Sequence, residues 1–557
     1  MAHAELTNKQ IIAELLKSDL NNYDNLISLL AMAREILPED ANISKKVAQK
    51  VRFVALRICE NSGSTEFYEL YNNALLFLAQ SHKDFDAYLL YVEKNRDPEE
   101  QYYLPRRSKI YWLVQKMQRL IDDELDILSI SMPPGTGKTT LGEFFISFVM
   151  GHYPKMPNLM SSHSGYMTRM FYDAVLNIIV SNEYCWREVF PDVIFEGNNA
   201  KEETINLGKW KQFKTLTCRP IRGSLTGVTR CEGFLYVDDL VSGIEEALNI
   251  DRLDKLYGEY TTDLKSRKKK RAKEIHIATR WSVHDVIGRL ERLYEGNDRA
   301  EFIAVPDIDP VTGKSNFDYE FDVGFDEKYF ADMEASMDDV SYRCLYKSDP
   351  IEREGILYHP NDLQRYIGGL PIEADGNVKE PDSILAICDT KDTGTDYNFL
   401  GVFYQYGDRY YLEDLVFKNI DPGTLDELNA NMLVKHKVQQ CQFESNKEGS
   451  RTANEVERLV KEKGGVCHIT KKYTTQNKET KIIVNSSWVK EHIWFKDFTE
   501  YDPKSDYGVM MSFLCSYSQM GKNKHDDAPD TLAMFALFVA NLLGGKAEVY
   551  KRSELGI

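Results

Sequence analysis

The run SMPPGTGKTT at 131–140 constrains the fold of this chain more than any other feature. It directly follows the apolar, strand-like DILSI and directly precedes the helical LGEFFISFVM, so it reads as the turn of a strand, loop, helix unit. Gly135 and Gly137 remove side chains, which lets backbone N–H groups converge on phosphate oxygens while the following helix N-terminus adds positive potential. Lys138 is placed to neutralise the β and γ phosphates of a nucleotide and the Thr139 hydroxyl to ligate Mg²⁺. Pro134, Thr136 and Thr140 complete the candidate nucleotide-binding stretch. One position departs from the G-x-x-x-x-G-K-[ST] pattern, because Met132 stands where the first Gly is expected. The bland alternative is an accidental Gly/Pro turn, against which both flanks argue.

From about Leu125 short apolar runs rich in β-formers alternate with amphipathic helices, which predicts a parallel sheet with crossover helices. GFLYVDDLV at 233–241 gives four apolar residues and then two acids, the pattern of a buried strand delivering carboxylates at its C-terminal end. Asp238 is assigned to Mg²⁺, directly or through water, and Asp239 to positioning an attacking water. Alone, the same residues would read as a solvated turn after a core strand. EIHIATRW ends in Thr279 and Arg280, where a γ-phosphate sensor would sit; an Arg paired with a nearby carboxylate is the open alternative. Residues 1 to about 100 carry apolar positions at helical spacing, broken at Pro38 and at the NSGS of 61–64.

The stretch from Asp307 to Pro381 is mixed and rich in Asp, Gly and Pro, and is taken as a border. After it, ILAICDT, FLGVFYQY and RYYLEDLVF read as three strands, the second turn being Gly407-Asp408. Asp389 closes the first strand, Glu444 closes VQQCQFE, and Asp526, Asp527 and Asp530 open an apolar helix. A β-β-β-α-β-α-β-α order with acids on the first strand, the fourth strand and the last helix is the ribonuclease H-like arrangement. Three such carboxylates can hold two Mg²⁺ or Mn²⁺ ions about 4 Å apart, which activate water and stabilise a leaving 3′ oxygen. Hard cations favour oxygen ligands, which suits acids without clustered Cys or His. Each acid has a second reading: Asp389 could cap its turn, and Asp526 or Asp527 could cap the helix.

At 557 residues the chain is too long for one small module and suits three or four domains, or two large ones with additions. Apolar residues at 43% and aromatics at 11% can fill substantial cores. Nine Cys without a CxxC pair and eleven scattered His give little support to a zinc site or disulfide framework, and a reducing cytoplasm is expected. The N-terminus lacks a cationic leader, and the longest apolar run falls short of the ~20 residues a membrane span needs. The balance of 69 basic against 87 acidic residues, −18, runs against a nucleic-acid partner globally, but LKSRKKKRAK at 264–273 carries seven basic residues in ten. That run is a candidate phosphate-backbone contact, or else a solvated face. Lys478 and Lys481 are a second candidate of the same kind, and Trp281 and Trp494 read as core residues.

In this order, PPGTGKTT, RGSLTGVTRCEGFLYVDDLVSGIEEA from Arg222, ATRWSVHDVIGRL from Ala278, CDTKDTGTDYNFLGV from Cys388 and HDDAPDTLA from His525 resemble the large terminase subunit of tailed bacteriophages and prophages, over about residues 85–540. The resemblance implies an α/β chain, a P-loop NTPase followed by a ribonuclease H-like nuclease domain. Its divisions would be a helical N-terminal region 1–85, a motor domain 86–310, a connecting region 311–380, a nuclease domain 381–545 and a tail 546–557. It implies ATP-driven packaging of double-stranded DNA into a procapsid and metal-dependent cutting of concatemers, with ATP, Mg²⁺ and two Mg²⁺ or Mn²⁺ ions as cofactors. The implied partners are double-stranded DNA, a portal protein, a small terminase subunit and further copies in a ring on the portal. The resemblance further implies no membrane partner and a place of action in the cytoplasm of the bacterial host, outside the mature virion. By position, Lys138, Thr139, Asp238 and Asp239 take the nucleotide roles, Thr279 and Arg280 the coupling role, and Asp389, Glu444 and Asp527 the nuclease roles. Two departures stand out: the acidic pair is Asp-Asp where many members have Asp-Glu, and the loop lacks an Arg that many carry. An arginine finger would then come from elsewhere, with Arg222 first and Arg230 behind it. The competing readings are a P-loop helicase or repair nuclease, and a non-catalytic assembly protein that binds DNA ends.

Overall fold

A computed structural model of the chain describes residues 6–223, 230–337, 339–350, 355–373, 376–390, 397–444, 449–473, 477–518, 523 and 525–543. The chain divides into two compact units, residues 1–337 with 342–351, and 338–341 with 352–557.

The first unit begins with six helices, Asn8–Lys17, Tyr23–Ile36, Ala41–Ser62, Thr65–Ser81, Phe85–Val92 and Tyr103–Ile121. Their ends obey local chemistry. Thr7 and Gln10 form a capping box, and the break at 61–64 is Gly63, whose φ of +67° ends the helix before it. An eight-stranded sheet follows. Its strands are β1 (Ile127–Ser131), β2 (Asn158–Ser162), β3 (Phe195–Asn199), β4 (Thr204–Leu207), β5 (Leu216–Cys218), β6 (Phe234–Asp238), β7 (Lys273–Ile277) and β8 (Ala300–Ala304), in the order β3-β4-β5-β2-β6-β7-β1-β8. β5 through β8 in that order pair in parallel, and β3 and β4 add an antiparallel edge.

Register sorts the side chains of this sheet onto two faces. Leu128, Ile130, Tyr236, Ile275 and Ile277 lie on one face, in a core they share with the N-terminal helices and the helix Lys138–His152. Leu159, Leu235 and Val237 lie on the other, packed with Leu253, Leu256, Tyr260 and Leu290. Gly142 is where the helix after the loop crosses Tyr236, whose hydroxyl occupies the place a Cβ would take. Leu26, Val51 and Leu75 of the N-terminal helices share one core with this sheet, and residues 311–380 are divided between the two units.

A buried ionic node holds the N-terminal helices. Asp86, 2% exposed, accepts hydrogen bonds from Arg52 at 2.7 Å, Arg107 at 2.9 and 3.1 Å and the Tyr103 hydroxyl at 2.6 Å. Burial works to raise its carboxyl, but the two guanidinium groups outweigh it and hold the group below its ordinary range. Asp86→Ala would leave mostly buried Arg52 and half-exposed Arg107 without their buried anion and is expected to cost about 3 kcal/mol, read as a lower unfolding midpoint by calorimetry. The depressed carboxyl contributes stability above its unfolded value, and that share is lost as pH falls through the folded one.

The second unit is built on a seven-stranded sheet, β9 (Gln364–Tyr366), β10 (Ser383–Asp389), β11 (Asn398–Tyr406), β12 (Arg409–Lys418), β13 (Gln440–Glu444), β14 (His468–Lys472) and β15 (Ile493–Lys496), in the order β14-β13-β10-β11-β12-β15-β9. β10, β11 and β12 are antiparallel neighbours, whereas β13 and β14 continue in parallel from β10. The five strands β14-β13-β10-β11-β12 are the ribonuclease H-like core expected from sequence. Gly407 and Asp408 form its tight turn, Gly407 at φ +64°. β15 and β9 extend the sheet in parallel beyond β12, an addition the sequence reading did not foresee. Among the described residues no helix is long and apolar enough to cross a membrane.

Candidate functional site

In the first unit, β1, β2, β6 and β7 end at the same edge of the sheet, and the loop after β1 curls over that edge. Gly135 and Gly137 sit at φ +77° and +95°, the left-handed region that glycine alone enters without strain. A cavity of about 470 Å³ opens there, lined by Pro134, Gly135, Gly137, Lys138, Thr139 and Thr140 from the loop and by Asp239 and Thr279 from the ends of β6 and β7. Thr136 faces inward, fully buried, its hydroxyl donating to the Pro133 carbonyl at 2.7 Å, so it shapes the loop without lining the cavity.

Lys138 donates to the Thr279 hydroxyl at 2.9 Å and lies 3.5 Å from the Asp239 carboxylate. Asp239 also accepts from the Thr279 backbone N–H at 2.8 Å, and its backbone is held at φ +38°. That strain on a non-glycine residue marks a position fixed by its surroundings. Asp238 lies behind it, fully buried, with neither carboxylate oxygen hydrogen-bonded. Burial and then the charge of Asp239 raise the Asp238 carboxyl above its ordinary range, against the charge of Lys138, which draws it down. Two orphaned buried oxygens near the Thr139 hydroxyl are a donor set that fits Mg²⁺, a cation that takes oxygen ligands only. The sequence reading missed His163, Ser242 and Leu345, which also line the cavity, as does Trp281, read there as core. His163 directly follows β2, and the rule that ligands gather at the carboxyl ends of parallel strands would have found it.

The arginines assigned to this site lie elsewhere. Successive residues after β7 alternate in direction, so Thr279 and Trp281 face the cavity while Arg280 turns away to Glu291 at 3.1 Å and lines a separate cavity of about 590 Å³. Arg280, expected as a γ-phosphate sensor, does not line this cavity. Arg222 is held by Glu246 at 2.7 Å and Glu259 at 3.4 Å, and Arg230 by Glu232 at 2.7 Å; neither lines the cavity. Of the basic run at 264–273, Lys265 reaches the Tyr294 hydroxyl, Lys268 the fully buried Glu274, and Lys273 the Leu120 carbonyl and Asp123. Lys269, Lys270 and Arg271 remain exposed.

In the second unit, β10 and β13 are parallel neighbours with Cys388 beside Phe443, so Asp389 and Glu444 emerge together at their carboxyl ends. The first turn of the helix Asp527–Leu543 brings a third acid. The ligand oxygens of Asp389, Glu444 and Asp530 all lie within 4.8 Å of one another, and all three residues are buried. Burial, then the charges of Asp530 and Glu444, raise the Asp389 carboxyl well above its ordinary range. Three carboxylates crowded away from water with mutual repulsion fit a hard divalent cation, whose charge would relieve both costs.

Of the three acids that open this helix, 526, 527 and 530, it is Asp530 that lies with Asp389 and Glu444, whereas the resemblance pointed to Asp527. Asp527 opens the helix and accepts from the Tyr397 backbone N–H at 3.3 Å, whereas Asp530, one turn further, faces the other two acids. Asp526 is outside the cluster and pairs with Lys478 at 2.8 Å. Lys478 and Lys481, first read as phosphate contacts, both serve this group of acids. Buried Lys481 sits 2.7 Å and Lys478 3.6 Å from the Asp530 carboxylate. The other acids of DTKDTGTD, at 392 and 396, lie outside the described residues.

No family model matches the sequence, and no curated protein matches it. Among solved structures, the large terminase of a thermophilic bacteriophage aligns with 76% of this chain and 98% of its own at 13% identity and a TM-score of 0.35. The bacteriophage HK97 large terminase aligns with 75% of this chain and 94% of its own at 9% identity and 0.32. The human cytomegalovirus terminase nuclease domain, Mn soaked and inhibitor bound, aligns with 28% of this chain and 83% of its own at 10% identity and 0.23. The chain is thus similar, over about three quarters of its length, to solved large terminases.

Proposed function

We propose that this chain is a large terminase subunit, an ATP-driven motor that packages double-stranded viral DNA and a metal-dependent endonuclease that cuts it. The single observation that carries the reading is the convergence of Asp389, Glu444 and Asp530 in a ribonuclease H-like sheet, on a chain whose other unit presents a phosphate loop and two strand-end acids. In the first unit Lys138 and the loop amides would bind the β and γ phosphates, Thr139 and Asp238 would hold Mg²⁺, and Asp239 would orient the attacking water. Mg²⁺ bound there would neutralise charge on the phosphates. In the second unit the three acids would hold two Mg²⁺ or Mn²⁺ ions, which would polarise a backbone phosphate and the attacking water.

The partners belonging to this reading are a portal, a small terminase subunit and further copies in a ring, at work in the bacterial host cytoplasm. The test uses the purified chain with supercoiled plasmid, Mn²⁺ and ATP. The reading expects nicking that EDTA abolishes, ATP turnover, and an Asp389→Ala variant that loses nicking but keeps turnover. Wild type that neither cuts nor hydrolyses under any divalent metal would favour an assembly protein that binds DNA ends.

Track binding would use local charge, since the chain as a whole carries −18. Replacing exposed Lys269, Lys270 and Arg271 together by Ala is expected to flatten the salt dependence of DNA binding by up to about three units of log–log slope, measured by fluorescence anisotropy. An unchanged slope would remove this run from the interface.

A further inference from the structure

The phosphate loop is gripped from its rear by two tyrosines that do not line the cavity. The Tyr102 hydroxyl donates to the Gly137 carbonyl at 2.8 Å, and the Tyr319 hydroxyl to the Thr136 carbonyl at 3.1 Å. Tyr319 comes from a stretch to which the sequence reading gave no role. Burial raises both phenols, so both hydroxyls keep their protons and act as donors. Arg106 lies between the two rings, its guanidinium carbon 4.8 Å from the centre of one and 5.0 Å from the centre of the other, and its Nη1 donates to the Tyr102 carbonyl at 2.8 Å. The fit leaves no slack: a Cβ on Gly137 would lie 2.7 Å from the Tyr102 ring and 3.3 Å from Arg106 Nε, and one on Gly135 3.1 Å from the Phe325 ring.

A trans peptide points its C=O and the next N–H in opposite directions. Holding the carbonyl of Thr136 therefore aims the N–H of Gly137, and holding the carbonyl of Gly137 aims the N–H of Lys138. These amides belong to the loop that would cradle a nucleotide's phosphates. We propose that Tyr102 and Tyr319, clamped together by Arg106, are positioning residues that orient the Gly137 and Lys138 amides toward the phosphates of a bound nucleoside triphosphate. This inference rests on the nucleotide reading of the cavity. It adds to that reading a brace supplied by residues far from the loop in sequence.

The experiment is the double variant Tyr102→Phe/Tyr319→Phe, which keeps both rings and the stack on Arg106 while removing both donors. A fluorescent ATP analogue is expected to bind about tenfold more weakly, given the ordinary net worth of two hydrogen bonds. The unfolding midpoint should stay within a few degrees of wild type. Hydrogen exchange of the segment 131–140, measured without nucleotide, should quicken there and not in the sheet. Arg106→Lys, which keeps the charge but not the planar stack, should fall between wild type and the double variant. Unchanged affinity with unchanged exchange would overturn the proposal, as would loosening spread over the whole unit. Wild type that binds no nucleotide would instead sink the proposed function, and the exchange measurement would still test the brace.

Discussion

Asp530→Asn is expected to lower metal-dependent DNA cleavage by about a hundredfold or more, whereas Asp527→Asn is expected to keep most of it. The two residues are three apart on one helix, and the resemblance pointed to Asp527. Asp530 lies with Asp389 and Glu444 inside 4.8 Å, while Asp527 is tied to the backbone N–H of Tyr397. An amide in place of the Asp530 carboxylate removes one negative charge from the group and leaves buried Lys481, 2.7 Å away, without its partner. Plasmid nicking with Mn²⁺ checks both variants side by side, and equal losses would return Asp527 to the site. The raised carboxyls add a dependence on pH. Burial and neighbouring acids favour the protonated form of Asp389 and burial that of Asp530, so a metal ion must displace protons to enter. Apparent Mn²⁺ affinity should therefore climb as pH rises, with proton release visible by calorimetry in buffers of different ionisation heat.

ATP turnover should fall by about 10²–10³-fold in Lys138→Ala and in Asp238→Asn, and should be little altered in Arg280→Ala. Lys138 is the cation of the cavity, held ready by Thr279 and Asp239. Asp238 has two buried oxygens without hydrogen bonds, and its amide analogue would offer a metal one weak ligand in place of a charged one. Arg280 points to another cavity, so its loss removes an ion pair with Glu291 and no cavity contact. A coupled phosphate-release assay reads all three. Turnover lost in Arg280→Ala at unchanged stability would return Arg280 to the coupling role.

The central strands of both sheets were legible in the sequence because their signals are local. An apolar strand followed by a glycine loop and an amphipathic helix leaves few alternatives, and so does a hairpin turn at Gly407-Asp408. Asp389 and Glu444 were legible for the same reason, each being the last residue of a strand. What stayed hidden depended on direction and on distant contacts. Whether Arg280 or Thr279 faces the cavity turns on a single step of strand alternation, and Asp527 and Asp530 differ by one helical turn. Tyr319 reaches Thr136 across 183 residues, and no local pattern encodes that. The N-terminal helices looked separate because their periodicity shows an apolar stripe but not what covers it; the stripe joins the core of the sheet.

A crystal soaked in Mn²⁺ and measured near the manganese absorption edge puts the whole account at risk most directly. Anomalous density within about 2.0–2.4 Å of carboxylate oxygens from Asp389, Glu444 and Asp530 is the predicted result. Density bound instead by Asp526 or Asp527, or no density at these acids while the metal is bound elsewhere on the chain, would contradict it.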